Sequence, residues 1–150
     1  MTPEMLKAHN YLSQISNLNY KVNAINEALA ELESRNPANL KAMQFDTVKV
    51  QTSGGDPLAN YVIAESKYKA DLIATETAYK EAQQEAVNRI TRLDNGARIE
   101  ILTRRYVLNQ QWAVIAKGVH YDIRTAQLLR NKALTEFYEA NRDLWPRKTQ

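Results

Sequence analysis

The chain has 150 residues, 44% hydrophobic and 25% charged, enough for one or two small domains with a modest core. It has no cysteine, which excludes disulfides, thiolate metal sites and cysteine nucleophiles, and no apolar run approaches the roughly 20 residues that span a bilayer. The net charge of +3 is unevenly placed: residues 1–93 hold 10 Lys/Arg against 11 Asp/Glu (net −1), and residues 94–150 hold 10 against 6 (net +4).

Ala, Leu, Glu, Lys, Gln and Arg dominate, and only four Gly and four Pro interrupt the chain, so the fold expected is all-α. The first segment, "MTPEMLKAHNYLSQ", lacks the apolar core of a signal peptide. From there Ala8, Tyr11, Ile15, Leu18, Val22, Ile25, Leu29 and Leu32 recur at spacings of 3, 4, 3, 4, 3, 4, 3, a heptad seam that predicts one helix over about 3–34. Thr2 serves as its cap and Pro3 as its first-turn residue, and "RNPAN" ends it. Ile15 and Val22 at one core position with Leu18 and Leu32 at the other suit a two-stranded pairing, which points to a homodimer, although the same seam can close inside one chain.

Residues 36–57 contain "FDTVKVQTSGGDP", read as a linker anchored by Phe45, Val48 and Val50. The Gly pair is no phosphate loop, because the Lys-Ser/Thr end and the preceding buried strand are missing. A second long helix begins with Asp56 as cap and Pro57 at its first position. Its softer seam runs Leu58, Tyr61, Glu65, Tyr68, Leu72, Thr75, Tyr79, Ala82, Ala86, Ile90 and Leu93, about 54 Å of helix at ~1.5 Å per residue. "DNG" closes it, with Asn95 or Gly96 expected as a left-handed cap. Residues 1–93 therefore read as a helical hairpin or coiled coil for oligomerisation or interaction, with a loop at about 36–56, and residues 94–150 as a separate domain.

That domain is read as a three-helix helix-turn-helix unit. "ARIEILTRRYVL" supplies its first helix, with Ile99, Leu102 and Tyr106 expected to face the other two. In "WAVIAKGVHYDIRTAQLLRNKAL", Ala116 is the small residue where two helices cross, Ile115 points inward and Val119 closes the first helix of the pair. His120 takes the turn, Tyr121 follows, and Asp122 caps the second helix, whose inward positions are Ala126, Leu129, Ala133 and Phe137. Arg124, Gln127, Arg130 and Asn131 fall on the opposite side. Between Arg104 and Lys132 the basic residues are Arg104, Arg105, Lys117, Arg124, Arg130 and Lys132, against Asp122 as the one acid. A steeply swung, basic, capped helix suits the major groove of double-stranded DNA. Arg124, Gln127 and Asn131 are then the polar base readers, with Ile123 and Leu128 against thymine methyls; Arg104, Arg105, Lys117, Thr125, Arg130 and Lys132 are the candidates for phosphate contacts.

The stretch "RRYVLNQQWAVIAKGVHYDIRTAQLLRNKAL" also resembles the C-terminal part of small phage regulators of the RinA/ArpU type. The matching residues are Arg105-Tyr106, Trp112, Ile115-Ala116, Tyr121, Arg130 and Lys132-Ala133-Leu134; where the family often has Ser after that Tyr, this chain has Asp122. The resemblance covers about the last 50 residues, with a looser likeness across the helical N-terminal half and "FDTVKVQTSG". It implies a late-gene transcription activator in a bacterial host cytoplasm, with a DNA-reading domain similar to the fourth region of sigma factors and host RNA polymerase as a further partner. Two other functions fit the residues: a small terminase subunit for DNA packaging, though those place the DNA-binding unit first, and a helical protein that engages the polymerase without reading DNA. His9 and His120 are the two histidines, and no His-Glu-x-x-His, His cluster or Ser/His/Asp set occurs, so no enzyme, metal or cofactor is expected.

Overall fold

A computed structural model describes residues 1–37 and 56–146. The linker residues 38–55, with Phe45, Val48, Val50 and the Gly pair, lie outside the described residues, as do 147–150. The chain is all-α. Among the described residues five α-helices follow in order: α1 (Pro3–Ser34), α2 (Pro57–Ile90), α3 (Gly96–Leu102), α4 (Trp112–Val119) and α5 (Ile123–Ala140). A π-helical turn, Thr103–Val107, continues α3, and a 3-10 turn, Arg142–Leu144, follows α5.

The helix starts obey the capping chemistry. The Met5 amide donates to Thr2 Oγ1 at 3.2 Å, and the Leu58 amide donates to Asp56 Oδ1 at 3.0 Å. Asn95 departs from its expected role. It is extended (φ −98°, ψ 116°) and its side chain accepts from the Arg98 amide at 3.2 Å, so it opens α3 rather than closing α2 with a left-handed cap. An Asn side chain that can satisfy an orphan amide of the next helix gains more there than by adopting positive φ.

The chain divides into two compact units, residues 1–18 with 79–150, and residues 19–78. In the second, Val22, Ile25, Leu29 and Leu32 of α1 are half-buried, as is Leu72 of α2, while Tyr61 and Thr75 are buried. The Tyr61 hydroxyl is held above its ordinary pKa by its 2.6 Å bond to Glu65, then by burial and by the Glu65 and Glu33 carboxylates. Glu33 is near the end of α1 and Tyr61 near the start of α2, as an antiparallel pair requires. The α1 heptads are thus partly covered inside a single chain, Ala8 and Ile15 buried and the rest half-buried.

In the first unit, the main core joins Ala8, Leu12 and Ile15 of α1, Ala86 and Ile90 of α2, Leu93, Leu102, Tyr106, Val107, and Ala133, Leu134 and Phe137 of α5. Leu12 is fully buried although it lies off the predicted seam, and Tyr11 is half-buried, its ring 5.9 Å from Phe137 and 6.5 Å from Trp145. The reason is geometric: here α1 is packed on a broad front, so a neighbouring position joins the narrow two-residue stripe.

Asn141, fully buried, ties the end of α5 to the end of α2. Its amide donates to the Phe137 and Arg89 carbonyls at 3.0 and 3.3 Å, and its carbonyl accepts from Arg89 and Arg92 at 3.3 and 2.9 Å. Asn141→Ala strands these partners and is expected to lower stability by about 1–3 kcal/mol in urea unfolding. An unchanged midpoint would show that the network contributes nothing net.

Candidate nucleic-acid interface

The interface is built from α3, the π-helical turn, α4 and α5. Ile101, Ile115, Ala116, Val119 and Ala126 form a small core of their own, with Trp112 and Leu129 partly buried against it. The residue that α3 contributes is therefore Ile101. Ile99, Leu102 and Tyr106, expected to face the pair, pack in or against the main core instead. The helix is wedged between two cores, so adjacent residues Ile101 and Leu102 are both fully buried and a one-faced periodicity cannot describe it. Ala133 and Phe137, expected inward on α5, likewise belong to the main core.

The turn between α4 and α5 follows the sequence reading closely. His120 is left-handed (φ 63°, ψ 38°), its amide donates to the Ala116 carbonyl, and the Tyr121 amide donates to the same carbonyl at 3.0 Å. Asp122 occupies the N-cap position of α5 with an extended backbone, but its carboxylate makes no capping hydrogen bond. Its negative charge at the helix start is what remains of the expected contribution. Tyr121, which follows the turn, is exposed.

The predicted contact residues separate into three groups. On α5, Arg124, Leu128 and Lys132 recur every four residues, are exposed and share one line, with Ile123 exposed beside Arg124; Leu128 is 54% exposed. Thr125, Gln127 and Asn131 are half-buried, and Asn131 accepts from Arg130 Nε at 2.8 Å, so it is already engaged. Lys117 is exposed on α4.

The second group gathers at Trp112. The Arg105 and Arg130 guanidiniums lie 5.1 and 5.0 Å from the centre of its ring. Arg105 also donates to the Gln110 carbonyl at 3.1 Å. Stacking on an indole holds a guanidinium in place while leaving its edge able to donate.

Arg104 forms the third group and departs from the phosphate set. It pairs with Glu100 at 2.9 Å and donates to Gln110 at 3.2 Å. Its guanidinium lies so close to Gly118 that a Cβ there would stand 2.8 Å from Cζ. It is a brace between α3 and α4.

A residue that no sequence pattern brings to this site is His9, which meets Tyr106. His9 Nδ1 is 2.7 Å from the Tyr106 hydroxyl, 97 positions away in the chain, and the rings meet edge to face. Burial first, then the charges of Arg130 and Arg105, push the His9 pKa below 6.5. Burial raises the Tyr106 pKa against the opposing pull of Arg130 and Arg105. Among the described residues no group of His, Cys, Asp and Glu is placed to hold a metal ion, and no helix is long and apolar enough to cross a membrane.

No family model matches the chain, and no curated protein or solved structure is significantly similar to it.

A lowered folded-state pKa at His9 has a definite sign. The unfolded chain takes up the proton first, so stability is intact above pH 6.5 and falls as pH drops from 6.5 towards the folded pKa. His9→Gln keeps a hydrogen-bonding partner for Tyr106 but does not titrate, and is expected to flatten that fall in urea midpoints measured between neutral and mildly acid pH. An equally steep fall in the variant assigns the loss to other groups.

Proposed function

We propose that residues 94–150 read double-stranded DNA through α5 and that the chain is a transcription regulator. The observation that carries this reading is the distribution of ion pairs. Among the described residues Arg35, Arg89, Arg92, Arg98, Arg104 and Arg142 each pair with a carboxylate. Arg105, Arg124 and Arg130 do not, and all three belong to the candidate DNA surface. Lys117 and Lys132 on the same two-helix unit also lack a carboxylate partner among the described residues, but so do Lys7, Lys21, Lys67 and Lys80 elsewhere, so the contrast lies in the arginines. Cations left without carboxylates around one helix-turn-helix pair suit phosphates, whose bound counterions they displace.

On this reading Arg124 and Leu128, with Ile123 and Gln127 beside them, meet base edges in the major groove. Arg105, Lys117, Arg130 and Lys132 meet phosphates. The resemblance of "RRYVLNQQWAVIAKGVHYDIRTAQLLRNKAL" to phage regulators of the RinA/ArpU type narrows the proposal to an activator of late genes, working on DNA in a bacterial cytoplasm beside host RNA polymerase. A second reading, a polymerase-binding module without DNA, is favoured by the exposed apolar side chains Val114, Tyr121, Ile123 and Leu128 on the same unit.

Selection of a preferred site from random duplexes, followed by titrations at several salt concentrations, tests both. Arg124→Ala and Leu128→Ala are expected to cost about 1–3 kcal/mol on the selected site with little effect on random DNA. Arg105, Lys117, Arg130 or Lys132 changed to Ala is expected to weaken every sequence and lower the salt slope by about 1, whereas Arg104→Ala leaves the slope unchanged. The absence of salt-dependent duplex binding at low ionic strength rejects the DNA reading in favour of the second.

A further inference from the structure

The α2 helix carries a second apolar row that its first seam leaves outside. Ala59, Ile63, Ser66, Ala70, Ile73 and Thr77 recur at spacings of 4, 3, 4, 3, 4, with Val62 and Ala74 beside them. All are exposed, Val62 by 51%, Ile63 by 67% and Ile73 by 65%. At about 100° per residue the row lies nearly opposite the Tyr61, Leu72 and Thr75 side, and no charged residue falls on it. Single exposed apolar residues are ordinary, but a row in heptad register has the form of a helix–helix seam.

We propose that this face docks a second copy of the chain, antiparallel, about a two-fold axis between Ser66 and Ala70. A two-fold contact requires that residue i meet j and that j meet i, so the surface must be complementary to its own reversal. This row is. Read from either end it runs small, large, small, small, large, small. Reversal sets Ile63 on Ile73 of the second copy, Ser66 on Ala70 and Ala59 on Thr77. The small central pair lets the backbones approach, and the isoleucines close each end. A partner of unrelated sequence would not need that symmetry.

The size of the face sets the strength. Residues 59–77 span about 28 Å of helix, and a strip about 10 Å wide offers on the order of 300 Å² per copy, against the roughly 800 Å² per partner of a standard stable interface. The dimer is therefore weak and reversible, populated only at high micromolar concentration and above. Lys67 and Lys69 border the midpoint and meet their own copies across the axis; Lys69 is paired with Glu65 at 3.2 Å, whereas Lys67 has no ion pair among the described residues. Added salt screens that repulsion and strengthens association, the reverse of its effect on DNA binding.

The proposal is independent of the DNA reading and is tested without DNA, by sedimentation of the full chain across the micromolar range. The expected result is a monomer–dimer equilibrium that shifts towards dimer with salt. Ile63→Lys and Ile73→Glu, each at an exposed position, raise the dissociation constant more than about tenfold with helix content unchanged by circular dichroism. Combined in one chain they restore the dimer, because the lysine of each copy then meets the glutamate of the other, giving two opposite-charge pairs per dimer. A monomer at every concentration, singly substituted chains that dimerise like the parent, or a double variant that stays monomeric overturns the proposal.

Discussion

The first unit depends on α5 satisfying two cores with one rigid element. Its first half contributes Ala126 to the small core beneath α4, and its second half contributes Ala133, Leu134 and Phe137 to the main core. Over 18 residues no glycine or proline intervenes. The outer line of Arg124, Leu128 and Lys132 is consequently set by packing at both ends of the helix, and the Asn141 network fixes where the helix stops. α3 obeys the same constraint from the other side, with Ile101 committed to one core and Leu102 to the other. A surface built this way is presented in one orientation.

Charge is arranged with equal economy. Most arginines of the described chain are matched by carboxylates from their own or a neighbouring helix, and such partly exposed pairs contribute little net stability. Arg105 and Arg130 are held by an aromatic ring instead, which positions a guanidinium without neutralising it. Leaving two like charges near Trp112 is unfavourable in the folded state, and the pKa of His9 is lowered by burial first and by that field second.

Much of this was legible in the sequence because local chemistry decided it. Thr2, Asp56 and the "KGVHYD" turn are short-range devices, and they stand where the residue types put them. The small core of Ile115, Ala116, Val119 and Ala126 was equally readable, since a tight turn leaves few ways for two short helices to cross. What was not legible depended on distant partners. His9 meets Tyr106 only because α1 lies against the C-terminal helices, and Arg104 turns inward only because Gly118 leaves room for its guanidinium. Asn95 could serve either of two helices, and an amide in need of a partner decided between them. None of these choices has a period or a motif.

The two long helices illustrate a deeper limit on pattern reading. A heptad row states that a face is apolar; it does not state what covers it. In α1 the row suited a dimer as well as a hairpin, and its first positions are covered by α2 and by the C-terminal helices of the same chain. Because α2 must be apolar where it faces α1, its second row is conspicuous only after the first has been assigned. A helix packed on one side needs no isoleucine at positions 63 and 73, where lysine or glutamate would be better solvated at higher helix propensity. Retaining large apolar side chains there costs solubility and adds nothing to the hairpin. The two-fold pairing proposed for this face gives the row a physical reason outside the fold of a single chain.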